Sequence, residues 1–95
     1  MIWNKSKMAC LYYSKDMADE QWPCVVRITE DEILLEYDDD GVVQYIGKNT
    51  GNGHFELHSS EANGRATLHQ FPFSQILEGS WVEDGERGML RIELA

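Results

Sequence analysis

Leu77-Glu78-Gly79-Ser80-Trp81-Val82-Glu83-Asp84-Gly85-Glu86-Arg87-Gly88-Met89-Leu90-Arg91-Ile92-Glu93-Leu94 alternates apolar and polar residues on both sides of a central Asp-Gly. Asp84-Gly85 is a strong signal for a two-residue type I′ turn, since both central residues of that turn need positive φ. Such a turn sets Trp81 opposite Gly88, Gly79 opposite Leu90 and Leu77 opposite Ile92. One face of the hairpin then carries Leu77, Gly79, Trp81, Leu90, Ile92 and Leu94. The other carries Glu78, Ser80, Val82, Arg87, Met89, Arg91 and Glu93, with Glu78 facing Arg91. A loop of odd length would move Trp81 onto the face of the arginines, so the pattern selects the even loop. Gly88 leaves space for the indole to lie across the neighbouring strand.

The same reasoning extends toward the N-terminus. Asn63-Gly64 repeats the I′ signal between a strand at 54–59 and one at 65–71, and places His58 opposite His69. A four-residue loop places Glu56 opposite His69 instead. Gly47 to Gly53 is rich in glycine and asparagine and reads as a hairpin connection. A three-residue loop, Asp39-Asp40-Gly41, keeps Val43 and Tyr45 on the face of Leu35 and Tyr37, with the glycine left-handed in a G1 bulge. An even loop at Glu30-Asp31 joins Val26 and Ile28 to Ile33, Leu35 and Tyr37 on that face. Met8 to Ser14 is apolar enough for a first strand. Residues 14–21 could form a helical turn capped by Ser14 and ended by Pro23, and residues 1–7 read as a loose N-terminal extension or an edge strand.

About seven short strands at the spacing of an antiparallel sandwich or barrel follow. Nearly every connection is of hairpin length. The expectation is one all-β domain over residues 1–95, an antiparallel up-and-down meander of six to eight strands forming a small barrel or a strongly curved sheet. Its core should include Val26, Ile28, Leu35, Tyr37, Tyr45, Phe55, Leu57, Leu68, Leu77, Trp81, Leu90 and Ile92.

Composition narrows the function classes. With 95 residues the chain supports one core, and a hydrophobic content of 42% is incompatible with a disordered tail. A net charge of −9 argues against nucleic acid and against anionic membrane surfaces, both of which need a basic footprint. Two cysteines, Cys10 and Cys24, are too few for a disulfide framework, and no signal peptide precedes them. A cytoplasmic protein with reduced thiols is expected.

The histidines are the best candidate for chemistry. His54, Glu56 and His58 alternate with Phe55 and Leu57, and either even loop keeps His54, His58 and His69 on one face. Cross-strand partners have Cβ atoms about 4.5–5.5 Å apart, a separation that suits two imidazoles sharing a zinc ion. Residues i and i+4 of a strand lie about 13 Å apart, so His54 and His58 cannot share one ion. The candidate metal set is therefore His58, His69 and Glu56, against the plainer reading of a solvated sheet face. Gly47, Gly51 and Gly53 precede a strand, so no helix N-terminus faces an anion there. The acidic runs at 30–32 and 38–40 lack the alternating ligands of a calcium loop. No nucleophile-and-base pattern appears, and a non-enzymatic protein without a cofactor is expected.

Gly79-x-Trp81 on a strand, the Asp-Gly hairpin, Gly88 and the alternating Leu90, Ile92 and Leu94 resemble the repeating phrase of calycin-type meander barrels, the lipocalin-like and avidin-like group. Tyr45-x-Gly47 and Gly53-His54-Phe55-x-Leu57 have a similar cadence. The resemblance covers about half the chain. In that group Gly-x-Trp usually opens the barrel, whereas here it lies near the end, and this chain is shorter than members with roomy cavities. The resemblance implies a meander barrel able to bind a small apolar molecule; no ligand contact transfers, because only scaffold positions match.

Three functions follow as expectations: a binding or interaction module, a lipocalin-like binder of an apolar ligand, and a weak zinc-binding domain. Self-association is the specific form of the first. Val25, Leu34, Val42 and Ile46 fall on the face away from the core, as do Val82 and Met89, so that face could meet a second copy or another protein, or be covered by Trp3, Leu11, Tyr12 and Trp22.

Overall fold

A computed structural model describes residues 1–12 and 20–95, with the side chains of 11, 12 and 20 left aside. Eight strands follow one another: β1 (Ile2–Tyr12), β2 (Glu20–Ile28), β3 (Glu32–Asp38), β4 (Val42–Asn49), β5 (His54–Ser59), β6 (Gly64–His69), β7 (Ile76–Glu83) and β8 (Glu86–Glu93). Each pairs antiparallel with the next, and β1 returns to pair with β8, so the meander closes into a barrel. Closure removes both sheet edges.

The C-terminal hairpin has the register its sequence dictates. Trp81 faces Gly88, Gly79 faces Leu90, Leu77 faces Ile92 and Glu78 faces Arg91. Asp84 and Gly85 take φ of 47° and 83°, as a type I′ turn requires. The indole crosses β8, donating from Nε1 to the Met89 carbonyl at 3.0 Å. Gly79 permits a close approach on its other side. A Cβ there would lie 1.6 Å from the Thr67 carbonyl oxygen, so the two backbones bend toward each other only because position 79 has no side chain.

Period-two alternation fills the interior. Val26, Leu35, Tyr45, Phe55, Leu57, Leu68, Leu77, Trp81, Leu90 and Ile92 are buried as the sequence implied, while Ile28 and Tyr37 are half-buried against them. Met8, Cys24, Ile33, Ala66 and Leu94 complete the core.

Four readings need correction. Residues 2–7 are not a loose extension: they belong to β1, whose residues face both β2 and β8. A bulge explains why their alternation is hard to read. Trp3 faces Val26 and Ser6 faces Cys24, so β1 spends one extra residue there. Buried Ser6 ties the irregularity down, its Oγ accepting from the Ala95 N–H at 3.1 Å and donating to the Trp3 carbonyl at 3.2 Å.

Second, β2 begins at Glu20, and Pro23 lies within it. Residues 20–23 pair with β1, whereas the ladder to β3 starts only at Cys24, so proline occupies a stretch bonded on one side. The rest of the helical turn expected over 14–21 lies outside the described residues.

Third, Asn63-Gly64 is not a two-residue turn. Ser59 faces Gly64 and His54 faces His69, leaving a four-residue loop over 60–63. Asn63 is left-handed at φ 49°, but Gly64 already belongs to β6 and is buried. The I′ pair falls instead on Asn52-Gly53, with φ of 56° and 73°, inside the glycine-rich connection.

Fourth, the loop at 39–41 has the expected length, with Asp38 facing Val42, but two residues share the positive φ. Asp40 is left-handed at 54° and Gly41 lies at 130°. The Asp38 carboxylate accepts the Gly41 N–H at 3.0 Å.

Candidate functional site

The interior is not uniformly apolar. At the end of the barrel where the loops 39–41, 60–63 and 84–85 lie, the same inward parity brings polar and aromatic side chains together around a recess of about 40 Å³. Met8 and Leu35 belong to its lining from the core, and Trp22, Tyr37, Tyr45 and Trp81 supply rings. Glu83 and Asp39 supply carboxylates. Glu83 reaches the inside because it sits two residues beyond Trp81, and Trp22 because it sits two before Cys24.

A defined hydrogen bond organises this mouth. The Tyr45 hydroxyl donates to Glu83 Oε1 across the barrel. Gly64 makes the meeting possible: a Cβ there would lie 2.2 Å from the Tyr45 oxygen and 2.7 Å from Glu83 Cγ. Burial, and then the bond to the Glu83 carboxylate, push the Tyr45 hydroxyl well above the ordinary tyrosine range. The phenol therefore stays protonated and the carboxylate keeps its donor. Trp22 and Tyr37 form a tilted pair with ring centroids 6.2 Å apart and planes at 47°.

The wall is closed beside this site by a side chain in place of a ladder. β4 pairs with β5 only from Ile46 to Asn49, which leaves the start of β4 without a β5 partner. The Glu61 carboxylate accepts the Gln44 N–H and the Ser59 hydroxyl, each at 3.2 Å.

The histidine face is separate, on the outer surface. His54, not His58, faces His69, and the two Nδ1 atoms are 3.3 Å apart, with one ring donating and the other accepting. Glu56 Oε1 lies 3.9 Å from His54 Nε2, on the far edge of that ring. His58 faces Arg65 on β6 and Ile46 on β4. The set His58, His69 and Glu56 is thus not gathered at one point, since the register sets His58 and His69 four residues apart along the ladder. Among the described residues no three histidine, cysteine or acidic side chains converge as metal ligands.

The outer apolar residues are split. Val42 and Ile46 are exposed on β4, and Val82 and Met89 on β7 and β8. Arg27, Leu34, Ile46, His58, Arg65, Val82 and Arg87 follow one another across adjacent strands, so charge interrupts the apolar positions. Of the residues expected to cover them, Trp3 and Trp22 pack against the core instead, Trp22 at the recess, while the side chains of Leu11 and Tyr12 lie outside the described residues.

Sequence reasoning placed Tyr45 and Trp81 inside but missed Trp22, Asp39 and Glu83 as members of a site. The signal for Glu83 was available as the parity of Leu77, Gly79 and Trp81 carried one step further. Trp22 lies just beyond the helical turn expected over 14–21 and was read only as a possible cover for the outer face. Neither a family model, nor a curated protein, nor a solved structure matches the chain. No helix among the described residues is long and apolar enough to cross a membrane.

Proposed function

We propose that this protein is a small, non-enzymatic binding module whose site is the mouth of the barrel. The observation that carries the reading is the recess of about 40 Å³ lined by rings and carboxylates at the end of a core that includes Phe55, Leu68 and Leu77. A concave, mostly apolar recess with a few convergent polar groups is the general form of a small-molecule site. Binding is favoured over turnover because the buried phenol is held protonated against its acceptor and is not poised as a base or nucleophile.

The small volume favours a smaller occupant than a lipocalin-like ligand. Drug-sized pockets run to roughly 300–1,000 Å³, whereas Phe55, Leu68, Leu77, Ile92 and Val26 fill this interior. A water needs about 10–15 Å³ by the same kind of measure, so the recess holds about three. The ligand therefore inserts only a small head group. The test is the fluorescence of Trp22 and Trp81 during titration with small soluble molecules, beside an Ala66→Leu variant that fills the recess. Spectral change in the native protein and none in a folded Ala66→Leu variant is the expected result. Identical responses in the two would remove the mouth as the site.

A second reading rests on His54 and His69. Two nitrogens bound to one tetrahedral zinc at about 2.0–2.1 Å lie about 3.3 Å apart, which is the separation of the two Nδ1 atoms. This pair, not His58 with His69, is the proposed weak metal site. Calorimetric titration with zinc should show binding that His69→Ala abolishes and His58→Ala leaves intact; binding indifferent to His69 would end this reading. Self-association has less support, because Arg65 and His58 lie between the exposed apolar residues of β4 and those of β7 and β8.

A further inference from the structure

We infer that zinc joins two copies of this chain, each supplying His54 and His69, with the exposed Phe71 and Phe73 of both copies packed beside the metal. The inference rests on the histidine pair binding zinc and names the partner that completes the site.

Coordination number comes first. A structural zinc takes four ligands in a tetrahedron. The Nδ1 atoms of His54 and His69 are 3.3 Å apart. That is the separation of two nitrogens on a tetrahedral centre and is wider than the roughly 2.8 Å of a square-planar one. Among the described residues no third histidine, cysteine or acidic side chain converges with them. The undescribed residues 13–19 join β1 to β2 at the mouth end, whereas the pair stands where β5 begins and β6 ends, at the opposite end of the barrel. His69 is exposed, so the two remaining positions open to solvent. A two-fold axis through the metal fills both with the same two nitrogens of a second copy.

The far edge of the His54 ring supports ligation. Glu56 Oε1 lies 3.9 Å from His54 Nε2. Ligating histidines commonly direct their other ring nitrogen at a carboxylate. A proton held on Nε2 leaves the His54 Nδ1 lone pair for the metal.

The aromatic tip supplies the second contact. Gln70 follows His69, and its N–H donates to the Gly53 carbonyl at 2.7 Å, so the β5–β6 pairing runs from the histidines straight into the 71–73 turn. Phe71 and Phe73 are exposed there. The Ser74 N–H on the Phe71 carbonyl and Gln70 Nε2 on the Ser74 carbonyl clamp the turn, so little freedom is lost when the rings are covered. Aromatic side chains bury roughly 150–250 Å² each. Four phenylalanines therefore fall short of the about 1,600 Å² of a standard interface. Each copy also carries −9, so two copies repel one another. The tips alone leave monomers, and a dication at the contact supplies both the missing attraction and the missing ligands.

The experiment is sedimentation of the full chain with zinc or with a chelator, beside calorimetry with zinc alone. With chelator the chain should sediment as the 10.9 kDa monomer. Zinc should double that mass, with the dimer most abundant at half an equivalent per chain and declining in excess zinc. His69→Ala should remove both the heat and the dimer. Phe71→Ser and Phe73→Asn should retain zinc binding and weaken the dimer at least tenfold. If zinc binds one per chain and the protein stays monomeric, the histidine site stands and the bridged dimer is wrong. If zinc does not bind, the site itself fails. A zinc dimer that survives His69→Ala, or that is equally tight in the phenylalanine variants, would overturn the arrangement of the contact.

Discussion

Trp81 shows how much one residue settles. It has Gly88 opposite it in the wall, its N–H is bonded to Met89, and its ring reaches both the core and the recess. Truncation to alanine should cost about 3–5 kcal/mol, the usual range for a buried tryptophan, read as a lower denaturation midpoint in urea. An unchanged midpoint would contradict its place in the core. Cys24 provides a second check. Burial pushes its thiol up to about 12 from an ordinary value of 9.0. The folded state therefore holds this proton after the unfolded chain has lost it. Its contribution is complete below pH 9 and declines as pH rises from 9 toward 12, by up to about 1.4 kcal/mol per pH unit. Tyr45, also raised by burial, joins the decline above its ordinary value of 10.0. Urea midpoints at pH 9 and pH 10 should therefore differ less in Cys24→Ala than in the native protein, even though the variant starts from a lower stability. A slope unaltered by Cys24→Ala would show that the thiol is not the titrating group.

At the scale of elements, the β6–β7 connection holds an aromatic residue in the left-handed region, where the other described non-glycine residues are aspartates and asparagines. Phe71 and Phe73 are 83% and 105% exposed, and Phe73 sits at φ 65°. The Phe71 carbonyl accepts the Ser74 N–H at 3.0 Å, so Pro72-Phe73 forms the centre of a turn whose second position favours glycine. Gln70 Nε2 clamps the loop by donating to the Ser74 carbonyl at 2.8 Å. A left-handed non-glycine residue costs roughly 1–2 kcal/mol, and glycine's own chain entropy offsets part of that. Phe73→Gly should therefore stabilise the protein by about 0.5–1 kcal/mol, measured as a higher urea midpoint. A loss of stability would mean that the ring makes contacts outweighing the strain.

For the whole molecule, closure by β1 accounts for most of what the hairpins alone could not. An open meander would present the outer strands β1 and β8 as free edges; here they bond to each other from Lys7–Glu93 to Tyr12–Gly88. With β1 and β8 paired, and with Arg27, Arg65 and Arg87 set between the outer apolar positions of β3, β4, β7 and β8, charge interrupts that face among the described residues. Sedimentation at micromolar concentration should give a monomer of 10.9 kDa. A stable dimer would restore the outer face as an interface.

The all-β meander, the register at the loops 30–31, 39–41 and 84–85, and the division of residues between inside and outside were legible because they depend on period-two alternation and turn chemistry, which are local. Asp84-Gly85, Glu30-Asp31 and the length of the loop at 39–41 all follow from neighbours a few residues away. What the tertiary structure alone decided depends on residues distant in the chain. Asn63-Gly64 and Asn52-Gly53 look alike as dipeptides, yet Gly64 enters a strand because Tyr45 and Glu83 need the space its missing side chain leaves. His54 meets His69 for the same reason, since the longer loop shifts the register by four in the sum of paired positions. β1 hides its alternation behind a bulge that only its bonds to Ala95 make intelligible. The recess belongs to this second class: Trp22, Asp39, Tyr45 and Glu83 are separated by long stretches of sequence, and only closure of the barrel turns their inward parity into one site.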